Sequence, residues 1–376
     1  MGILIALLAF ALMVFIHEFG HFISAKLFKI KVLEFAIGMG PAIFKKKMGE
    51  TLYSVRVLPI GGYCSMEGED SQSDDERSFG RAKWWKRFIV VIAGAVLNIF
   101  LGFVLLFSVE AGQKQAVLPV IDRIESYSDM LDAGFKSGDR IIKIDGSRIN
   151  IYEDLSFSLD RVGGKETEVW VKRGNEIIKS KVTPVKEEVI YKYQKDKTIA
   201  ERYIDGMLVG TYETGATTDE SYLGKEERSE RYILGFDCET EENTIFHSLK
   251  RSFFLTGFYV KLVYVSLFEL ISGNIPANQI SGPVGVVSII GEASKVDISF
   301  LFSILALLTV NLGVMNLLPI PALDGCKMII ILIEAITKKK VPPEKEGIIN
   351  LIGFAILIGI MIFATYNDIA RLFSGA

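Results

Sequence analysis

Residues 1–16 carry no charged side chain, and they run straight into His17-Glu18-Phe19-Gly20-His21. An apolar stretch of that length is a membrane span, so the polar cluster sits at its end rather than on a soluble surface. Ionisable groups in lipid are costly and mark functional positions. On a helix, HExxH sets two imidazoles one turn apart with a carboxylate between them, a spacing that suits zinc with the glutamate as general base. His17 and His21 are two of only three histidines in the chain, so the pattern is not a by-product of a histidine-rich composition.

Half of the 376 residues are hydrophobic. A span takes about 20 apolar residues, and four stretches qualify: 2–24, 88–109, 300–322 and 347–366. The polar middle, 113–245, reads as a folded aqueous domain. A net charge of -3 gives no reason to expect a nucleic-acid partner. Cys64, Cys238 and Cys326 lack metal-site spacing and are expected to be free thiols.

The first span has no basic leader, and its lysines (Lys26, Lys29, Lys31) follow the apolar run, which argues against a signal peptide. By the positive-inside rule the N-terminus is extracytoplasmic and the 25–87 loop, with twelve Lys/Arg, is cytoplasmic. Lys338-Lys339-Lys340 in the 337–346 loop fall on the same side if four spans alternate. Both termini and the aqueous domain are then extracytoplasmic.

Between the first two spans, Thr51–Leu58, a turn at Pro59–Gly62 and Tyr63–Met66 read as a β-hairpin near the membrane. By itself it is an ordinary cytoplasmic hairpin. Placed after the HExxH helix, its edge could pair with an extended chain. In the aqueous domain, strands are expected at 140–144, 167–173 and 176–182, with Gly174-Asn175 joining the last two. Asn150 with Glu153 resembles a capping box. The run Ala133–Ile141 followed by Asp145-Gly146 resembles the core of bacterial PDZ domains, which bind peptide as an added strand. Residues 186–231 read as an insertion, with a hairpin at Asp205-Gly206. The 246–271 segment puts His247, Lys250, Arg251, Lys261 and Glu269 within an arc of about 100°. It is expected to lie in the interface rather than cross.

A catalytic zinc takes three protein ligands. His247 lies beyond the aqueous domain and is a poor third. Pro319 and Pro321 interrupt the third span, and Asp324 follows the break. Broken helix at membrane depth belongs beside a wet cavity or inside protein. At 1.5 Å per residue His17 is roughly 24 Å into the first span, and Asn316 reaches a similar depth in the third. Glu334 is the rival ligand, but it is expected to pair with Lys338 at i,i+4. Asn98 and Asn311 are polar residues for which an interhelical hydrogen bond suffices.

With HEFGH in the first span and Asn316-Leu317-Leu318-Pro319-Ile320-Pro321-Ala322-Leu323-Asp324-Gly325 in the third, the chain resembles the site-2 proteases. These are intramembrane zinc metalloproteases, and the likeness is to the bacterial regulator-of-sigma group that carries a PDZ domain. Gly61-Gly62-Tyr63, Gly94 with Asn98, and Ser281–Gly285 add to it. The resemblance covers nearly the whole chain apart from 186–231. It departs at Cys326, where the family often has glycine, and at Ala95, where it often has proline.

The fold this implies is a polytopic α-helical membrane protein with four transmembrane helices, a membrane-associated β-hairpin and one extracytoplasmic PDZ-like α+β domain. Its parts are a membrane core over 1–112, the PDZ-like domain over 113–245, an interfacial segment over 246–299 and a second membrane core over 300–376. The resemblance also implies one Zn2+ on His17, His21 and Asp324, Glu18 as base and Asn316 holding the substrate backbone or oxyanion. Its substrates would be single-pass membrane proteins, among them anti-sigma factors after a first cut and remnant signal peptides. Two other readings are a membrane-anchored PDZ receptor without catalysis and a membrane zincin that uses Glu334 as third ligand.

Overall fold

The computed structural model describes residues 2–69, 73–195, 197–215, 223–276 and 280–374. The chain divides into two compact units, Met1–Gly112 with Thr256–Ala376, and Gln113–Leu255. The first unit is built from long apolar helices and the second from sheet.

Helix α1 (Gly2–Leu27) holds the HExxH sequence, and α2 is Trp84–Gly112. His21 lies against Val90 and His17 against Gly94, so numbers fall along one helix as they rise along the other. The two therefore run antiparallel. A Cβ on Gly20 would come 2.4 Å from the Ala93 carbonyl oxygen, so glycine permits this crossing. Helix α6 (Ile298–Asn316) is likewise antiparallel to α2, with Thr309 bonded to the Asn98 carbonyl and Gly102 beside Ala306. Hence α1 and α6 run in the same direction, and the chain between Gly112 and Ile298 returns to the side it left.

Within that return lie α4 (Ile245–Ile271) and α5 (Pro283–Val296). Among the described residues five helices are long and apolar enough to cross a membrane: α1, α2, α4, α6 and the Glu344–Arg371 stretch of α8 (Pro343–Ser374). The sequence reading counted four and laid 246–271 in the interface. Helix α4 meets the length and composition of a span, and its Val263 packs on Val310 and Val314 of α6. Helix α5 packs near the starts of α1 and α6, through Ile290 and Ala293 against Ala6 and Leu301.

Proline ends α6. Pro319 and Pro321 follow within a turn, Ala322 adopts φ 72°, and α7 (Asp324–Thr337) starts at the aspartate itself. An acidic residue in the first turn suits the positive end of a helix. A Cβ at Gly325 would lie 2.1 Å from the Leu318 carbonyl oxygen, so the fold-back needs glycine there.

The hairpin differs from expectation. Strand β1 (Val32–Met48) and β2 (Thr51–Met66) turn at Gly49-Glu50, where Gly49 supplies φ +60°. Pro59–Gly62 lies inside β2, where the register shifts. As a result Glu34–Ile37 have partners on both sides, Leu52–Val55 and Gly62–Ser65. The Val32–Ile37 run gave no turn signal of its own, so the sequence reading passed over β1.

In the second unit, β3 (Gln115–Ile124), β4 (Arg140–Ile144), β6 (Thr167–Arg173), β7 (Glu176–Val182) and β12 (Phe236–Glu242) form one sheet in the order β12-β3-β4-β6-β7. The short β5 (Ser147–Arg148) pairs with β4. Ile141, Ile144, Val169 and Val171 are fully buried in it and pack with Leu155 and Leu159 of α3 (Tyr152–Val162). Helix α3 starts one residue later than a cap at Asn150 requires. Asp154, not Glu153, therefore accepts from the Asn150 and Ile151 amides (3.0 and 3.4 Å), and Glu153 bonds Arg251.

A second sheet, β10-β9-β8-β11, comprises Val185–Tyr193 (β8), Lys197–Ile204 (β9), Met207–Gly215 (β10) and Glu226–Ile233 (β11). Asp205-Gly206 forms its β9–β10 turn, both residues with positive φ as a type I′ hairpin demands. Buried Glu187 on β8 holds Arg202 of β9 and Arg231 of β11.

Candidate active site

Three side chains from the two ends of the chain converge. Asp324 Oδ2 is 3.0 Å from His17 Nε2 and 3.3 Å from His21 Nε2, and the two Nε2 atoms are 3.3 Å apart. His21 donates from Nδ1 to the Val90 carbonyl oxygen at 2.8 Å. That bond fixes the tautomer and leaves the Nε2 lone pair directed at the carboxylate oxygen. Lone pairs facing one another at this separation repel unless a proton or a metal ion lies between them. With metal–ligand bonds of about 2.0–2.1 Å, the edge of a tetrahedral site is about 3.3–3.4 Å. The observed triangle is close to one face of such a tetrahedron, and its donors, two imidazoles and a carboxylate, are those of a catalytic zinc with one position left open. Both histidines are 8% exposed. The residues present fit the ion.

The fit depends on Gly94. A Cβ there would meet His21 Nε2 at 2.5 Å and His17 Cε1 at 2.8 Å, so α2 backs both imidazoles only because it presents bare backbone. Glu18 shares the cavity wall with His17, Asp324 and Cys64. Gly62 packs on the Glu18 stem, with a would-be Cβ 3.3 Å from its Cγ. Asn316 Nδ2 lies 3.4 Å from His17 Nε2. Among the described residues Gly62–Met66 pair as a strand only with Val32–Ile37; on the other edge the Met66 amide donates to Glu69 Oε2 at 3.3 Å, and the rest of that edge has no strand partner along the cavity.

All five residues singled out from the sequence (His17, Glu18, His21, Asn316 and Asp324) thus come together, while the other polar candidates stand apart. His247 lies 3.2 Å from Glu241 in the other unit. Glu334 does not pair with Lys338, whose left-handed backbone (φ 56°) ends α7. It bonds Arg87 of α2 at 2.7 Å and accepts from the Val341 amide. A nearer cation was masked by its distance in sequence. The bond between α2 and α6 at Asn98 uses its backbone carbonyl, and Asn311 is exposed on α6. All three cysteines are free. Sequence reasoning missed Glu69 and Lys327, which face the same cavity as Glu18 and belong to no motif.

The model of peptidase family M50 matches residues 5–360 of this chain. A Clostridium acetobutylicum protein, described provisionally as a zinc metalloprotease, is 36% identical over 98% of this chain and 97% of its own length. The regulator of sigma-W protease RasP of Bacillus subtilis is 28% identical over 98% of each chain. The zinc metalloprotease RasP of Shouchella clausii is 28% identical over the whole of both.

Proposed function

Because this chain belongs to peptidase family M50, the site-2 proteases, and is a zinc metalloprotease of a bacterial membrane, we propose that it hydrolyses peptide bonds inside the bilayer, in single-pass proteins. The observation that carries this reading is the His17–His21–Asp324 triangle, made by two helices that both qualify as spans or follow one directly. In it, His17, His21 and Asp324 are the zinc ligands. The ion supplies Lewis acidity, which acidifies a water and polarises a carbonyl. Glu18 takes the proton of the attacking water and delivers it to the leaving amine. Asn316 donates from Nδ2 to the carbonyl oxygen as negative charge develops on it.

A helical substrate hides its backbone in its own hydrogen bonds, so it must unwind before attack. Pairing with the edge of Gly62–Met66 that has no strand partner offsets part of that cost. Four spans with α4 as a non-crossing insertion, cytoplasmic basic loops and extracytoplasmic termini are the topology we favour. The antiparallel order of α1, α2 and α6 supports it. The six-stranded unit acts as a PDZ-like domain on the far side, recognising or excluding the trimmed end of the substrate, and the 185–233 sheet is its insertion. Anti-sigma factors after a first cut, and remnant signal peptides, are the substrates this reading names.

Purified Glu18→Gln protein is expected to keep one zinc per chain and to cut nothing. Proteolysis retained by that variant would remove the mechanism.

A further inference from the structure

Two cavities meet at the triad. One, of about 280 Å³, is walled by Val14, Gly61, Gly62, Leu312 and Leu323, with Asn316 on its side. The other, of about 390 Å³, is walled by Tyr63–Met66, Val91, Glu69 and Lys327. His17, Glu18 and Asp324 border both, and the Gly61–Met66 segment runs along both. The first arm is apolar apart from the site residues. The second ends at an ion pair, Lys327 Nζ to Glu69 Oε1 at 2.7 Å, whose side chains are only 19% and 18% exposed. Beyond the pair opens a vestibule of about 500 Å³ that shares Glu69 and Lys327 and takes Arg81 and Lys340 from the two basic loops.

An extended chain along Gly61–Met66 would therefore have apolar walls on one side of the reacting bond and this pair on the other. The cytoplasmic flank of a membrane span is enriched in Lys and Arg. Resting on the proteolytic reading above, the geometry points to Glu69 as a specificity-determining residue: its carboxylate receives a Lys or Arg from the cytoplasmic flank of the substrate, and Lys327 holds that place in the free enzyme. The exchange leaves Glu69 paired before and after, so no buried charge is stranded. Lys327 is one turn beyond Asp324 on α7, and its flexible four-carbon stem lets the ammonium turn into the vestibule, where Asp74 and Glu346 face it. An acidic substrate residue in the same place would meet Glu69 as a like charge.

The test uses full-length, zinc-loaded protein in liposomes and a single-pass peptide substrate. Each of the first four positions on the cytoplasmic side of the scissile bond is set to Lys, Gln or Glu. At one of them wild type is expected to prefer Lys to Glu by about tenfold in kcat/KM, and Glu69→Gln to bring that ratio to within about twofold. Glu69→Lys combined with Lys327→Glu keeps the pair with reversed polarity and is expected to invert the preference. Equal rates for the three substrates at every position, or an unchanged ratio in Glu69→Gln, overturn the role of Glu69 while cleavage itself stands. If zinc-loaded wild type cuts none of them, the proteolytic reading falls and takes this inference with it.

Discussion

Asp324 Oδ2 sits 3.0 Å from His17 Nε2, although the two residues come from opposite ends of the chain. The contact joins the first helix to the residue that restarts the chain after the proline break. If this oxygen is a zinc ligand, Asp324→Ala leaves two imidazoles, too few for a stable site. Zinc content of the purified variant, read by elemental analysis, is expected to fall from one per chain to near zero, with cleavage lost. Glu334→Gln is expected to keep the metal, since Glu334 is committed to Arg87. Full zinc in Asp324→Ala would exclude this triangle as the metal site.

Gly94 gives a second handle on the same site from behind. Alanine there places a methyl carbon 2.5 Å from His21 Nε2 and 2.9 Å from the His17 carbonyl oxygen, closer than real contacts allow. Either the imidazole rotates or α2 withdraws, at a cost of about 1–3 kcal/mol. Gly94→Ala is therefore expected to weaken zinc binding and cleavage more than it lowers the unfolding temperature in detergent. Metal affinity by chelator competition, set beside a melting curve, separates the two effects.

Legibility from sequence followed the range of each signal. Strands β4, β6 and β7 have the bounds their apolar alternation and Asp-Gly or Gly-Asn punctuation suggest, because those cues are local. Helix rise brought His17 and Asn316 to a common depth, since depth along a span is one-dimensional, whereas Asp324 lies past the proline break and was reached through that break and the family resemblance. The β1–β2 turn was misplaced because Pro59-Ile60-Gly61-Gly62 carries stronger turn chemistry than Gly49-Glu50, and only the pairing of Glu34–Ile37 on two sides resolves it. Helix α4 has the length and apolar content of a span as well as a charged arc, so its sequence supports either placement and a linear pattern does not choose between them. Ion pairs between distant elements, Arg87–Glu334 and Glu69–Lys327, leave no trace in a linear pattern.

Arg87 and Glu334 form such a pair with side chains 11% and 8% exposed, joining the start of α2 to α7. Removing one partner strands a buried charge, at about 3–5 kcal/mol. Arg87→Ala and Glu334→Ala are each expected to lower the unfolding temperature sharply. The double change Arg87→Met with Glu334→Leu should recover much of that loss, because apolar groups of similar size carry no unpaired charge. Additive destabilisation in the double variant would mean that the two side chains do not act as a pair.

The sheet unit should be acid-sensitive through two carboxylates. Burial of Asp139 would push its pKa up, but the Arg173 guanidinium, bonded to it in a fork at 2.7 Å to each oxygen, and the Lys136 amide outweigh this and hold it below the usual range. For Glu187 burial likewise pushes up, and Arg231 and Arg202 together pull the net value down. A carboxylate whose folded value is depressed contributes stability in full above its unfolded value, about 4. That contribution is lost as pH falls through the folded value. Amide exchange in β4, β6, β8 and β9 of the full chain is therefore expected to be flat from neutral pH to about 5, once corrected for intrinsic rates, and to accelerate below about 4. Asp139→Asn should be less protected at neutral pH and less responsive to acid across β4 and β6, with β8 and β9 unchanged. An acid response in β4 and β6 identical to wild type would remove Asp139 from the explanation.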